Sequence, residues 1–169
     1  MVRRPGWRPS TFRSIIVALA LVAAALVAER LVPALTGAVR VADGDSLEIG
    51  GERVRLDGID APELHQSCGA PGKIWPCGEK ARAALAAIVA SAKVSCRPVD
   101  EDRYGRAVSV CEAGGRDVGS LLVEEGWAVA TGFGYGSEQR AARAGGRGIW
   151  SGPFDLPADW RAAHPRPPS

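Results

Sequence analysis

The sequence predicts an α+β fold: a small closed β-barrel of five strands with about three helices, preceded by an apolar N-terminal export or anchor segment. Three observations lead there. Five short runs of strand character are bounded by turn residues. One stretch, from Gly78 to Lys93, repeats its apolar residues at helical period. The 21 glycines and 12 prolines among 169 residues leave little room for long helices.

The N-terminus reads as an address. Arg3, Arg4, Arg8 and Arg13 precede a charge-free apolar run from Ile15 to Ala28. That run is shorter than the about 20 residues of a membrane span and suits the about 7–15 of a signal-peptide core. Small residues open to cleavage stand at Ala23-Ala24-Ala25 and Thr36-Gly37-Ala38, and the alternative is an uncleaved anchor lengthened by Leu31–Leu35. Residues 1–38 are therefore expected to be a signal peptide or membrane anchor. Residues 39–152 are the folded domain and 153–169 a Pro-rich tail. The protein is expected to be exported, as a monomer, to the periplasm or beyond, or held on the inner membrane facing outward through residues 15–28.

Charge supports that division. Residues 1–38 hold five arginines and one acid; removing them from the totals of 21 basic and 19 acidic residues leaves 16 against 18. The folded part is slightly acidic, which excludes a polybasic module that binds by bulk phosphate neutralisation.

Within the domain, Ala38–Ala42, Ser46–Ile49 and Arg53–Leu56 are expected strands, joined at Asp43-Gly44-Asp45 and at Gly50-Gly51, a hairpin signal. A loop rich in Pro and Gly follows to Pro76. The helix over Gly78–Lys93 places Ala81, Ala84, Leu85, Ile88, Val89 and Ala92 on one face. Two alternating segments, Val94–Val99 and Arg106–Cys111, then flank a polar turn. A ladder that turns about Arg103–Tyr104 sets Cys96 directly opposite Cys111, within disulfide range. Cys68 and Cys77 then pair by elimination. Such bridges agree with export, and two histidines with no Cys-x-x-Cys argue against zinc. Further helices are expected from Asp117, as N-cap, to Glu125, and from Ser137 to about Ala144.

Chemistry concentrates in three stretches: Asp43-Gly44-Asp45-Ser46, then Arg53 to Glu63, then Asp102-Arg103-Tyr104-Gly105-Arg106. They offer carboxylates, which suit a hard divalent cation, and arginines, whose forks match phosphate oxygens. A further carboxylate can take a proton from water. The combination suggests metal-assisted hydrolysis of a phosphodiester.

The order of these motifs resembles the staphylococcal-nuclease-like (thermonuclease) family across about residues 38–152. Its pattern is Asp-Gly-Asp-Ser/Thr, then Arg-Leu-x-Gly-Ile-Asp-Ala/Thr-Pro-Glu, then Asp-x-Tyr-Gly-Arg, then Gly-x-Trp, here Gly148-Ile149-Trp150. The resemblance implies a five-stranded OB barrel with three helices and a Ca²⁺-dependent nuclease acting on DNA or RNA. It implies Asp45, Asp60 and the Ala61 carbonyl as calcium ligands, with Asp43 shaping the site. Glu63 would be the general base, Arg55 and Arg106 the phosphate-binding arginines, and Tyr104 a neighbour of the substrate's phosphate. Ala61 offers no hydroxyl where the family can have threonine. In place of the family's base-stacking tyrosines the chain offers Phe133 and Tyr135, which either substitute for them or pack in the core. A non-catalytic OB module that binds oligonucleotides on the same face is the alternative reading.

Overall fold

The structure, a computed structural model, describes residues 9–29 and 33–165. It divides into two compact units between Pro33 and Ala34. The first holds helix α1 (Pro9–Glu29). Ile15, Val17, Leu19 and Leu21 on α1 are each more than half exposed. Among the described residues no helix is long and apolar enough to cross a membrane.

The second unit begins with a meander of β1 (Val39–Val41), β2 (Ser46–Ile49) and β3 (Glu52–Leu56). Two glycines in left-handed backbone, Gly50 and Gly51, turn β2 into β3. Alternation sends Val54 and Leu56 into the core, so Arg55 between them points to the opposite face. Next come β4 (Ile59–Asp60), α2 (Cys77–Ala90), β5 (Val94–Glu101), β6 (Ala107–Ala113) and β7 (Arg116–Asp117). The chain ends with α3 (Val118–Glu124), β8 (Val129–Ala130), α4 (Gly136–Ala144), a 3₁₀ turn (Gly148–Ser151) and α5 (Pro157–Ala163). Asp117 caps α3 as expected, accepting the Ser120 N–H at 2.8 Å.

The expected closed barrel is corrected. The sheet is an open path β1-β2-β3-β6-β5, with β7 added on β6, and β4 and β8 form a separate two-stranded ladder. Among the described strands only β3 and β6 pair in parallel. Among the described residues no ladder joins β1 to β5; ahead of β1, Leu35 makes one isolated bridge to Cys96 of β5, with N–H···O bonds of 2.7 and 3.0 Å. The cause is length: β1 has three residues, too few ladder groups to zip along β5. Besides α1, which lies in the N-terminal segment, four α-helices rather than about three occur among the described residues. One of them, α5, lies within the stretch read as a tail; Pro157 at its first turn starts a helix, because that position needs no N–H partner.

Leu47, Ile49, Val54 and Leu56 from the sheet pack with Leu85 of α2 and Leu122 of α3 in the main core. A smaller cluster joins the Cys68–Cys77 bridge to Val129 and Ile149, with Trp75, Trp150 and Phe154 against it. Both disulfides form as expected. Cys96 faces Cys111 in the β5–β6 register, and Cys68 is bonded to Cys77.

Candidate active site

The site is assembled where β2, β3 and the loop after β4 meet the turn between β5 and β6. The Asp43–Asp45 turn packs tightly there: a Cβ on Gly44 would lie 2.7 Å from the Cβ of Ala61 and 2.9 Å from that of Ala81. Only glycine lets the turn come so close to the Ala61 loop. The approach buries Asp45 and Asp60 beside each other.

Arg55 holds these acids directly, and Arg106 reaches them through Ser46. From β3, Nη2 of Arg55 lies 3.4 Å from Asp45 Oδ2 and 3.1 Å from Asp60 Oδ1. Asp45 Oδ1 accepts the Ser46 hydroxyl at 2.8 Å, and the same Ser46 oxygen accepts from Nη1 of Arg106 at 3.2 Å. Ser46 thus links Arg106 to the carboxylate pair. Burial pushes the Asp45 carboxyl up to about 6, against the pull of Arg55, with Asp43 and Asp60 adding repulsion and Ser46 opposing it. Asp43 accepts the Asp45 N–H at 3.3 Å.

Arg106 is fixed by its own turn. Partial burial alone would raise Asp102, but the N–H groups of Arg106 and Tyr104 and the Arg106 guanidinium hold its carboxyl down at about 2. The Nε of Arg106 donates to Asp102 Oδ2 at 2.7 Å. Tyr104 is exposed, with the guanidinium of Arg106 5.8 Å from its ring centre and that of Arg103 at 4.8 Å. Arg53 ties this turn back to β3 through the Tyr104 carbonyl at 3.1 Å.

Glu63 stands on the loop after β4. Its N–H donates to Oε1 of Gln66 at 3.1 Å, and its carbonyl accepts the Gln66 N–H at 2.7 Å. Gln66 is fully buried and its amide donates to the Asp155 carbonyl at 2.7 Å. That bond leads the chain into α5, whose Arg161 closes the site. Arg161 makes a fork on Asp60, with Nη1–Oδ1 3.0 Å and Nη2–Oδ2 2.9 Å, and reaches Glu63 Oε1 at 3.0 Å. Hydrogen bonding to Asp60, and then to Glu63, holds the Arg161 guanidinium firmly protonated.

Residues 53–152 match the family described as Staphylococcal nuclease homologue. The chain belongs to the staphylococcal nuclease family. Among its relatives, the succinoglycan biosynthesis protein ExoI of Rhizobium meliloti (strain 1021) is 42% identical over 123 residues, which cover 69% of this chain and 64% of that protein. A micrococcal nuclease of Shigella flexneri is 33% identical over an alignment of 177 residues, covering 89% of this chain and 96% of the relative. The probable staphylococcal-like nuclease CAN2 of Oryza sativa subsp. japonica is 31% identical over 118 residues, or 64% of this chain and 29% of its own. The chain therefore spans just under two thirds of the first relative and nearly all of the second.

Set beside this nuclease family, the structure links Asp45 to Asp43, Arg55 and the Ala61 N–H, Arg55 to Asp60, Asp60 to Glu63 through Arg161, and Arg106 to Asp45 through Ser46, with Tyr104 exposed beside Arg106. Tyr135 is placed differently. Its phenol donates to the Asp117 carboxylate at 3.0 Å and its ring packs against the core, beside Gly58. Burial and Asp117 raise its pKa above the usual range. Phe133 is fully exposed. Three residues of the site went unassigned in the sequence reading: Ser46, Gln66 and Arg161. For Arg161 the signal was slight, a proline followed by helix-forming residues in Pro157–Ala163.

The donor set can be tested against a metal. Among the described residues no three or more His, Cys, Asp or Glu side chains are grouped to hold one. Two buried carboxylates nevertheless converge on one guanidinium nitrogen, and burial disfavours the charge on Asp45. A hard cation would relieve that cost, with backbone oxygen and water completing the about 6–8 oxygens calcium takes. The residues fit such an ion.

The raised Asp45 carboxyl has a consequence for stability. A folded value of about 6 above the ordinary 3.8 means that Asp45 contributes stability below about pH 3.8, which is lost as pH rises through about 6. Asp45→Asn is expected to melt higher than the wild type in chelator at neutral pH, by the equivalent of about 1–3 kcal/mol. The gap should close towards pH 4. Melting curves that place the variant below the wild type at both ends would refute the assignment.

Proposed function

We propose that the protein is an exported nuclease that hydrolyses phosphodiester bonds of DNA or RNA with calcium. The observation that carries the reading is the convergence of a buried carboxylate pair, a third carboxylate on a loop and two arginines, one from β3 and one from the turn between β5 and β6. A binding module needs the arginines but has no use for a carboxylate base beside an acid pair.

Asp45 and Asp60, with the Ala61 carbonyl, would hold the cation. When bound, calcium supplies positive charge against a phosphate oxygen. Glu63 orients the attacking water and takes its proton. Arg55 and Arg106 grip the phosphate oxygens more tightly as negative charge builds on them, which lowers the barrier rather than merely binding substrate. Tyr104, exposed next to Arg106, borders the phosphate. Phe133 is the aromatic left open to a base, whereas the Tyr135 hydroxyl is already engaged with Asp117.

Export is supported by the two disulfides, by the arginines ahead of the apolar run and by the exposed apolar side chains on α1. Either release after cleavage or retention at the inner membrane through residues 15–28 is compatible with that run.

The test is degradation of plasmid DNA and of RNA by the full chain, with calcium and with chelator. Degradation with calcium and silence in chelator are expected. Full activity in chelator, or activity restored only by zinc, ends the calcium reading. Binding of oligonucleotide with no cleavage under any condition favours the binding module.

A further inference from the structure

We propose that Arg161 is a built-in counter-ion of the metal site, which holds Asp60 and Glu63 while the metal is absent and must leave them for a divalent cation to bind. The inference rests on the calcium reading above and extends it to a residue outside the matched stretch 53–152.

The geometry of Asp60 is the reason. Its Oδ1 accepts from both Arg55, at 3.1 Å, and Arg161, at 3.0 Å, while Oδ2 accepts from Arg161 at 2.9 Å. Both oxygens are thus covered by guanidinium protons. A cation that draws on Asp60 meets the Arg161 charge on the same carboxylate, and two positive charges a few ångströms apart repel. Glu63 is engaged as well: Arg161 Nη1 sits 3.0 Å from its Oε1, so the guanidinium occupies an oxygen that would receive the water's proton. One side chain therefore occupies a proposed metal ligand and the proposed base together.

The placement is built rather than incidental. The segment leading into α5 is pinned to the site loop at two points, where Gly69 N–H donates to the Pro153 carbonyl at 2.8 Å and Gln66 donates to Asp155 at 2.7 Å. Pro157, at the start of α5, is buried. Arg161 lies one turn further on with its side chain 38% exposed. The helix can keep its anchors while the guanidinium swings into water.

Calcium titration calorimetry on the full chain tests this, comparing wild type, Arg161→Ala and Arg161→Gln. Both variants are expected to bind calcium more tightly by at least about fivefold, the factor for two like charges about 4 Å apart even in bulk water. Their melting temperatures should fall in chelator and rise more than the wild type's when calcium is added. Arg147→Ala, which removes an arginine that reaches only Glu124 at 3.9 Å, serves as the control for net charge and should leave the affinity unchanged. A purely supporting role for Arg161 predicts the opposite, weaker binding. A wild type that binds calcium beside variants that bind it no better overturns the inference and leaves the calcium reading standing. No binding heat in any of the proteins removes both. Should Arg161→Ala not fold, Arg161→Gln, which keeps most of the stem, decides the matter.

Discussion

Arg106→Ala is expected to lower kcat at least about a hundredfold with little change in melting temperature, the size of effect seen when one transition-state donor is removed. The guanidinium contacts Asp102 on its own turn and Ser46 on β2, and is part-buried rather than a core group. Its loss should therefore cost charge at the phosphate more than packing. Arg106→Lys should fail nearly as badly. A lysine can meet Asp102 or the phosphate as a point charge but cannot hold Asp102 through Nε while presenting its other nitrogens. Glu63→Gln belongs to the same experiment. It keeps an oxygen for Arg161 and the backbone bonds to Gln66, so folding should survive while the proton acceptor is gone. Arg55→Ala is expected to lower turnover as much, but it also strips the shared cation from Asp45 and Asp60, so its melting curve must be read alongside. Near wild-type turnover in Arg106→Ala and Glu63→Gln, with unchanged melting, would put the chemistry elsewhere.

A second large effect is expected from one methyl group on α2. A Cβ on Gly78 would penetrate the carbonyl oxygen of Glu63 and stand 2.8 Å from that of Leu64. Backbone lies on the other side of that contact, so no flexible side chain can yield. Gly78→Ala should force α2 and the Glu63–Gln66 turn apart, costing about 1–3 kcal/mol of stability, as overpacking does. Because Gly78 N–H also donates to the Gln66 carbonyl at 3.1 Å, the displacement reaches the loop that carries Glu63. Turnover should then fall together with melting temperature, unlike in Glu63→Gln. Ala83→Gly, on the same helix but exposed, should lower stability by about 0.5–1 kcal/mol and leave turnover unchanged. Full activity and unaltered melting in Gly78→Ala would mean that helix and loop are not in contact as described.

The parts legible in the sequence are those written in short-range pattern. Alternation located β2 and β3 and set Arg55 opposite Val54 and Leu56. The polar turn at Arg103–Tyr104 fixed the register of β5 on β6 closely enough to pair Cys96 with Cys111, since a ladder has one partner per residue. The bulge at Pro98/Asp100 lies between the turn and that pair: Glu101 faces Ala107 and Asp100 faces Val108 beside the turn, and the shift of one residue then brings Cys96 opposite Cys111. Motif order pointed to Asp45, Asp60, Glu63 and Arg106 because their spacing is local to each turn.

Contacts between distant segments left no such trace. The β4–β8 ladder is two residues long on each side and joins Ile59 to Ala130, so no periodicity could announce it. Among the described residues, β1 forms no ladder with β5, and the segment ahead of it touches β5 through the isolated Leu35–Cys96 bridge, because a three-residue β1 does not reach along β5. Arg161 lies 101 residues from Asp60, and the path that brings it there runs through a buried Gln66 and the carbonyl of Asp155. The sequence by itself determined the local strands, the disulfide register and the acids and arginines of the motifs, because neighbouring residues set turn and alternation. Only the tertiary structure decided that the sheet stays open and that a C-terminal arginine covers Asp60 and Glu63, because both depend on which remote surfaces meet once the core has closed.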